Sequence, residues 1–141
     1  MIEVKVKREG LNIEMLGRIF DRVIERFIAE LAERTEEIMR EKAPERTGRL
    51  KQSIRKIVKP SRAVIGPTVP YAIYVEYGTR PHEILPVRAK ALRFEVDGKV
   101  VFAARVHHPG TRPQPFIRET AEQIRDEVPE VFHDILVSEG W

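Results

Sequence analysis

Tyr71-Ala-Ile-Tyr-Val-Glu-Tyr-Gly-Thr-Arg-Pro-His82 shares the tetrapeptide Gly-Thr-Arg-Pro with a later stretch, His107-His-Pro-Gly-Thr-Arg-Pro-Gln-Pro-Phe116. In each copy glycine supplies the positive φ that ends a helix or turns a strand. The proline fixes its own φ and steers the preceding arginine away from α geometry. Gly78 with Pro81 and Gly110 with Pro113 therefore predict two stiff, exposed corners, each presenting an arginine, Arg80 and Arg112. Corners of this kind suit a contact surface better than a reaction centre.

Between the copies lies Leu92-Arg-Phe-Glu-Val-Asp-Gly-Lys-Val-Val-Phe-Ala-Ala-Arg-Val106. Asp97-Gly98 between two apolar-rich runs predicts a two-residue hairpin with a type I′ turn. The two corners are thus expected to bracket a small sheet. Upstream, Pro70 before and Gly78 after the Tyr71–Tyr77 run predict a short helix, although alternation also fits a strand through Tyr71, Ile73, Val75 and Tyr77.

Further out, Ile2, Val4 and Val6 alternate with charged residues as in a half-buried strand. From Leu11 to about Arg40 apolar residues recur at helical spacing, among them Leu16, Phe20, Val23, Phe27, Leu31 and Ile38. One helix there would be ~45 Å long, with an end free to pack on a neighbour, unless it breaks near Thr35. Thr47 is the expected N-cap of a short helical turn through Leu50 and Ile54. A strand hairpin follows around Lys59-Pro60-Ser61-Arg62. Beyond Pro115 a second long helix is expected, kinked or restarted at Pro129, with Trp141 either disordered or a contact residue. The fold class is α+β: a mainly antiparallel sheet packed with a long N-terminal helix and a C-terminal helix, in one domain over residues 1–141.

The 141 residues contain no cysteine, which excludes disulfides and thiolate metal sites. No apolar run approaches a bilayer span and the N-terminus has no signal-like apolar core, so an unexported protein without a membrane partner is expected. The formal net charge of +3 conceals segregation. Residues 40 to 62 carry nine Lys or Arg against two acids, residues 78 to 118 eight against three, and residues 119 to 141 seven acids against one Arg. Copies of such a chain can meet through complementary faces, with Arg80, Arg112 and His82 set against Glu119 and Glu122 as interface candidates.

Catalytic signals are absent. No phosphate-binding glycine loop or His-Glu-x-x-His helix occurs, and Ser53, Ser61 and Ser138 lack the setting of an activated nucleophile. His82, His107 and His108 are the sole histidine group near a carboxylate, Glu76. Adjacent strand residues point to opposite faces, however, which separates His107 from His108. No enzyme, no metal and no cofactor is expected. The reading from another class is a nucleic-acid-binding or -processing protein using the basic middle segment and these three histidines. Against it, that segment has no aromatic rings interleaved for base stacking, although sequence-independent attraction to phosphates stays open.

Three motifs in order, Ala43-Pro-Glu-Arg-Thr-Gly-Arg-Leu50 with Ser53-Ile54, the Tyr71–His82 stretch and His108–Phe116, resemble the tail-completion or head-to-tail joining family of long-tailed double-stranded DNA bacteriophages, the neck and minor tail proteins often called gp10-like. The resemblance runs from about residue 11 to 128. Where the family has Val-Asp before Thr-Gly, this chain has Glu45-Arg46. The resemblance implies a structural virion protein of the tail or neck, made in the host cytoplasm and assembling as a ring, typically a hexamer. Its implied partners are a tail-tube or tail-terminator protein, a head connector or stopper protein, and duplex DNA passing without sequence specificity. It implies no catalytic residues.

Overall fold

A computed structural model of the chain describes residues 13–141; the strand expected around Val4 lies outside that range. The described residues up to Val69 together with Phe116–Trp141 form one unit, and Pro70–Pro115 form a second. The architecture is α+β, and the described residues form three two-stranded antiparallel ladders where the sequence suggested one sheet.

In the first unit, α1 (Ile13–Lys42) runs 30 residues without the break entertained at Thr35. That hydroxyl instead donates to the Leu31 carbonyl at 2.6 Å, a bond that fits inside a helix. The short helix α2 (Arg49–Ser53) corrects two expectations. Its cap is Gly48, held left-handed at φ 76° with no side-chain bond, and Ile54 opens a strand rather than closing the helix. Thr47 does accept from the Arg49 amide, at a long 3.4 Å.

Strands β1 (Ile54–Lys59) and β2 (Arg62–Pro67) form the hairpin expected at Lys59–Arg62. Ser53 ties its open end, its carbonyl accepting from both the amide and the hydroxyl of Thr68. One face of the hairpin packs on the C-terminal half of α1. There Lys56 binds Glu33 and Glu36, and Arg40 donates to the Ile54 carbonyl at 2.9 Å.

The last helix, α4 (Phe116–Ser138), continues through Pro129 without restarting. It lies antiparallel to α1: Phe27 meets Phe132 edge to face at 5.2 Å, and Phe20 lies 6.4 Å from Trp141. Gly140, at φ 87°, ends α4 with amide bonds from Gly140 to Val137 and from Trp141 to Leu136. This glycine-ended cap satisfies carbonyls that the helix leaves open and fixes Trp141 as a contact residue. Val23, Ala32, Ile38, Met39, Leu50, Ile54, Phe116 and Ile135 make the core. No residue of α1 before Val23 is buried.

The second unit begins with α3 (Ala72–Tyr77), the short helix rather than the strand alternative, ended by Gly78 at φ 72°. Strands β3 (His82–Ile84) and β6 (Val106–His108) pair, as do β4 (Leu92–Val96) and β5 (Lys99–Ala103). Asp97 at φ 50° and Gly98 at φ 76° give the β4–β5 turn its type I′ geometry.

Candidate interaction site

The two Gly-Thr-Arg-Pro copies face each other. Thr79 and Thr111 exchange amide-to-carbonyl hydrogen bonds, each 3.1 Å, and their hydroxyls lie 3.1 Å apart. Three residues inward from Thr79 and three back from Thr111 stand His82 and His108, paired in the β3–β6 ladder, so the threonine bridge and that ladder share one register. The repeat is therefore an internal antiparallel match: each copy is the other's pairing partner. Sequence reading placed corners at two ends of a sheet, whereas the structure joins them into a single junction.

Both glycines are required by that junction. A Cβ on Gly78 would stand 2.5 Å from the Thr111 carbonyl oxygen, and one on Gly110, at φ 83°, would stand 2.3 Å from that of Thr79. The symmetry of the clash follows from the symmetry of the pairing. Gln114 adds a bond from its amide to the Val75 carbonyl at 2.8 Å, tying the second copy to the end of α3.

The histidines belong to this junction too. His82 and His108 stack at 4.9 Å with 25° between ring planes. His82 Nδ1 lies 2.8 Å from the Arg80 carbonyl, which can only accept, so that nitrogen carries the proton. His108 Nδ1 accepts from the Gly110 amide at 3.0 Å, so it is bare. Each ring is thus oriented by its own corner. His107 sits opposite Glu83 in the ladder, and among the described residues no three His, Asp or Glu side chains group as a metal would need.

Arg80 and Arg112 are exposed in the second unit, and Glu119 and Glu122 are exposed on α4 in the first; none of the four makes an ion pair among the described residues. The structure sorts the basic 40 to 62 segment in a way composition hides. Arg40 pairs with Glu36, Lys51 with Glu45, and Lys56 with Glu33 and Glu36. Lys56, then Arg40, hold the Glu36 carboxyl below its ordinary pKa by hydrogen bonding, and Glu33 and Glu36 raise the Lys56 ammonium in turn. Arg55, Lys59 and Arg62 occupy the opposite, outward face of β1–β2. Period-two alternation from the buried Ile54 was the available signal for this division.

The second unit also exposes its apolar residues. Val87, Phe94, Val96, Val101 and Phe102 all face solvent, and only Ala72 and Glu76 are buried there. A two-stranded ribbon is marginal without a surface to lean on, and exposed apolar clusters mark contact sites. No helix among the described residues is long and apolar enough to cross a membrane.

These features describe an α+β protein that exposes apolar side chains on the ribbon of its second unit. Residues 10–78, just under half of the chain, match the model of the HK97-gp10-like family, described as a bacteriophage tail component. The match agrees with the resemblance carried by the Ala43–Leu50 and Tyr71–His82 motifs and supports a phage tail-component-like structural protein. Neither the curated proteins nor the solved structures yield a match.

Proposed function

We propose that this chain is a tail-completion or head-tail joining adaptor of a tailed double-stranded DNA virus or prophage. In this reading it acts in the virion as a ring, six copies in number, between tail tube and head connector, after assembly in the host cytoplasm. It works by shape and contact, without catalysis, cofactor or metal, and duplex DNA passes it without being read.

The observation that carries the reading is the second unit's ribbon, whose apolar side chains are exposed while it has almost no core. An element like this gains its burial from another molecule. Unlike, oppositely charged faces on neighbouring copies generate a closed ring when the rotation permits. Arg80, Arg112 and His82 of one copy are the proposed contacts for Glu119 and Glu122 of the next, with the Gly78–Pro81 and Gly110–Pro113 corners holding the arginines in place. Exposed ion pairs contribute only ~0.2–1 kcal/mol each, so apolar contact supplies the affinity and charge sets its direction.

Purified chain mixed with the tail-tube protein encoded beside it, sized by light scattering, tests this. A discrete ring is expected, and an Arg80→Glu/Arg112→Glu variant is expected to assemble poorly. A wild type that stays monomeric at high concentration with its partner overturns the ring; a variant that assembles normally overturns the arginine contacts.

A further inference from the structure

The outward face of the β1–β2 hairpin carries Arg55, Ile57 and Lys59 on one strand, and Arg62, Val64 and Gly66 on the other. Ile57 and Val64 are cross-strand partners, yet they are 63% and 57% exposed. Three cations surround this aliphatic pair, and no acid shares the face. Lys59 and Arg62 make no ion pair among the described residues; Arg55 donates only to the backbone carbonyls of Gln52 and Ile54. Nearby acids do not explain the arrangement, because Glu33 and Glu36 are engaged on the inner face by Lys56.

An apolar centre with a charged rim is the anatomy of a protein contact. Phosphate backbones alone would leave Ile57 and Val64 without a purpose. The charge calls for an acidic partner, and the same chain offers one. On α4, Glu122, Asp126 and Glu130 follow at intervals of four, all exposed, opposite the buried Thr120 and Ile135. Like charges at that spacing weaken a helix by themselves, and none of the three is ion-paired among the described residues. Arg118 stands one turn before Glu122 in the same row, at the start of α4, so the purely acidic part of the stripe runs from Glu122 to Glu130, with Arg125 on its flank.

Both faces belong to the first unit, and each points away from α1, against which its element packs. They therefore suit two copies rather than one. Resting on the ring reading above, we infer that the β1–β2 outer face receives α4 of a neighbouring copy, with Ile57 and Val64 against the helix and Arg55, Lys59 and Arg62 reaching Asp126 and Glu130. The contact is heterologous, so it propagates around a ring. Glu119 and Glu122, nearer the start of α4, are left for the corner arginines.

A mixture of isotopically heavy and light full-length chain, alone and with the tail-tube protein, treated with a zero-length carbodiimide, tests the contact. Crosslinks between Lys59 and Asp126 or Glu130 of mixed isotopic mass are expected, because that reagent joins an ammonium to a touching carboxylate. Lys59→Glu/Arg62→Glu should reduce assembly at least tenfold in apparent Kd, and adding Asp126→Lys/Glu130→Lys on the same chain should restore most of it. Assembly without the mixed crosslink, or a reversal without effect, overturns this contact and leaves the ring standing. Failure of the wild type to assemble at all overturns both. If the reversal spares assembly and instead abolishes salt-sensitive retention of duplex DNA, the face binds phosphates and the inference is wrong.

Discussion

Thr79 and Thr111, 32 residues apart, bond to one another through both backbone directions and through their hydroxyls. A repeated tetrapeptide here pairs with its own second copy. The glycine before each threonine gives the partner's carbonyl room, and the proline two residues after it stiffens the exit. The helix α3 and the β3–β6 ladder both radiate from that junction.

Gly110→Ala is expected to cost about 1–3 kcal/mol, since its left-handed φ and its 2.3 Å approach to the Thr79 oxygen both oppose a Cβ. Gly78→Ala should cost a similar amount. Gly98→Ala is the control: its φ is also positive, but nothing lies within 4 Å of a Cβ there, so it should cost about 1 kcal/mol. Chemical denaturation of the three variants checks the order, and equal costs would remove the packing argument.

Arg34 clasps Glu127 with two bonds, Nε to Oε2 at 2.7 Å and Nη2 to Oε1 at 3.1 Å, joining α1 to α4. That fork, then a bond from Gln123, lowers the Glu127 carboxyl to about 2. A carboxyl depressed in the folded state stabilises the fold above its unfolded pKa near 4.5 and loses that contribution as pH falls toward 2. Melting temperature should drop across this window in the wild type and more shallowly in Glu127→Gln. Parallel profiles would show the pair to be energetically idle, as exposed pairs can be.

Phe116 is 1% exposed and Phe102 is 65% exposed. Phe116→Ala should destabilise the chain by about 3–5 kcal/mol through lost burial and the cavity left behind. Phe102→Ala should stay within about 0.5 kcal/mol in the unassembled chain, as surface changes do. Urea unfolding at low protein concentration measures both; a large Phe102 effect there would mean that this part of the ribbon is covered within one chain.

Thermal melts with and without a chelator should coincide. His82 and His108 are stacked and each is engaged by its own corner through Nδ1, so their lone pairs do not converge on a common point. A lower melting temperature on chelation would require a site built from other residues.

Local chemistry made much of this chain legible from its residues alone. Apolar spacing announced α1 and α4, Asp97-Gly98 announced its type I′ turn, and Pro70 with Gly78 announced α3, because each depends on neighbours within a few positions. The match of residues 10–78 to a phage tail-component family agrees with motifs visible in the same stretch. Local rules also misplaced a detail: Thr47 looked like a cap where Gly48 turns left-handed, while of the kink or restart expected at Pro129 the restart does not occur. Tertiary structure alone decided that the two corners pair with each other, and that Lys56 turns inward to Glu33 and Glu36 while Arg55, Lys59 and Arg62 turn outward. The reason is register. A lysine has the same charge on either face of a strand, and only the alignment of that strand against distant residues determines which face it takes.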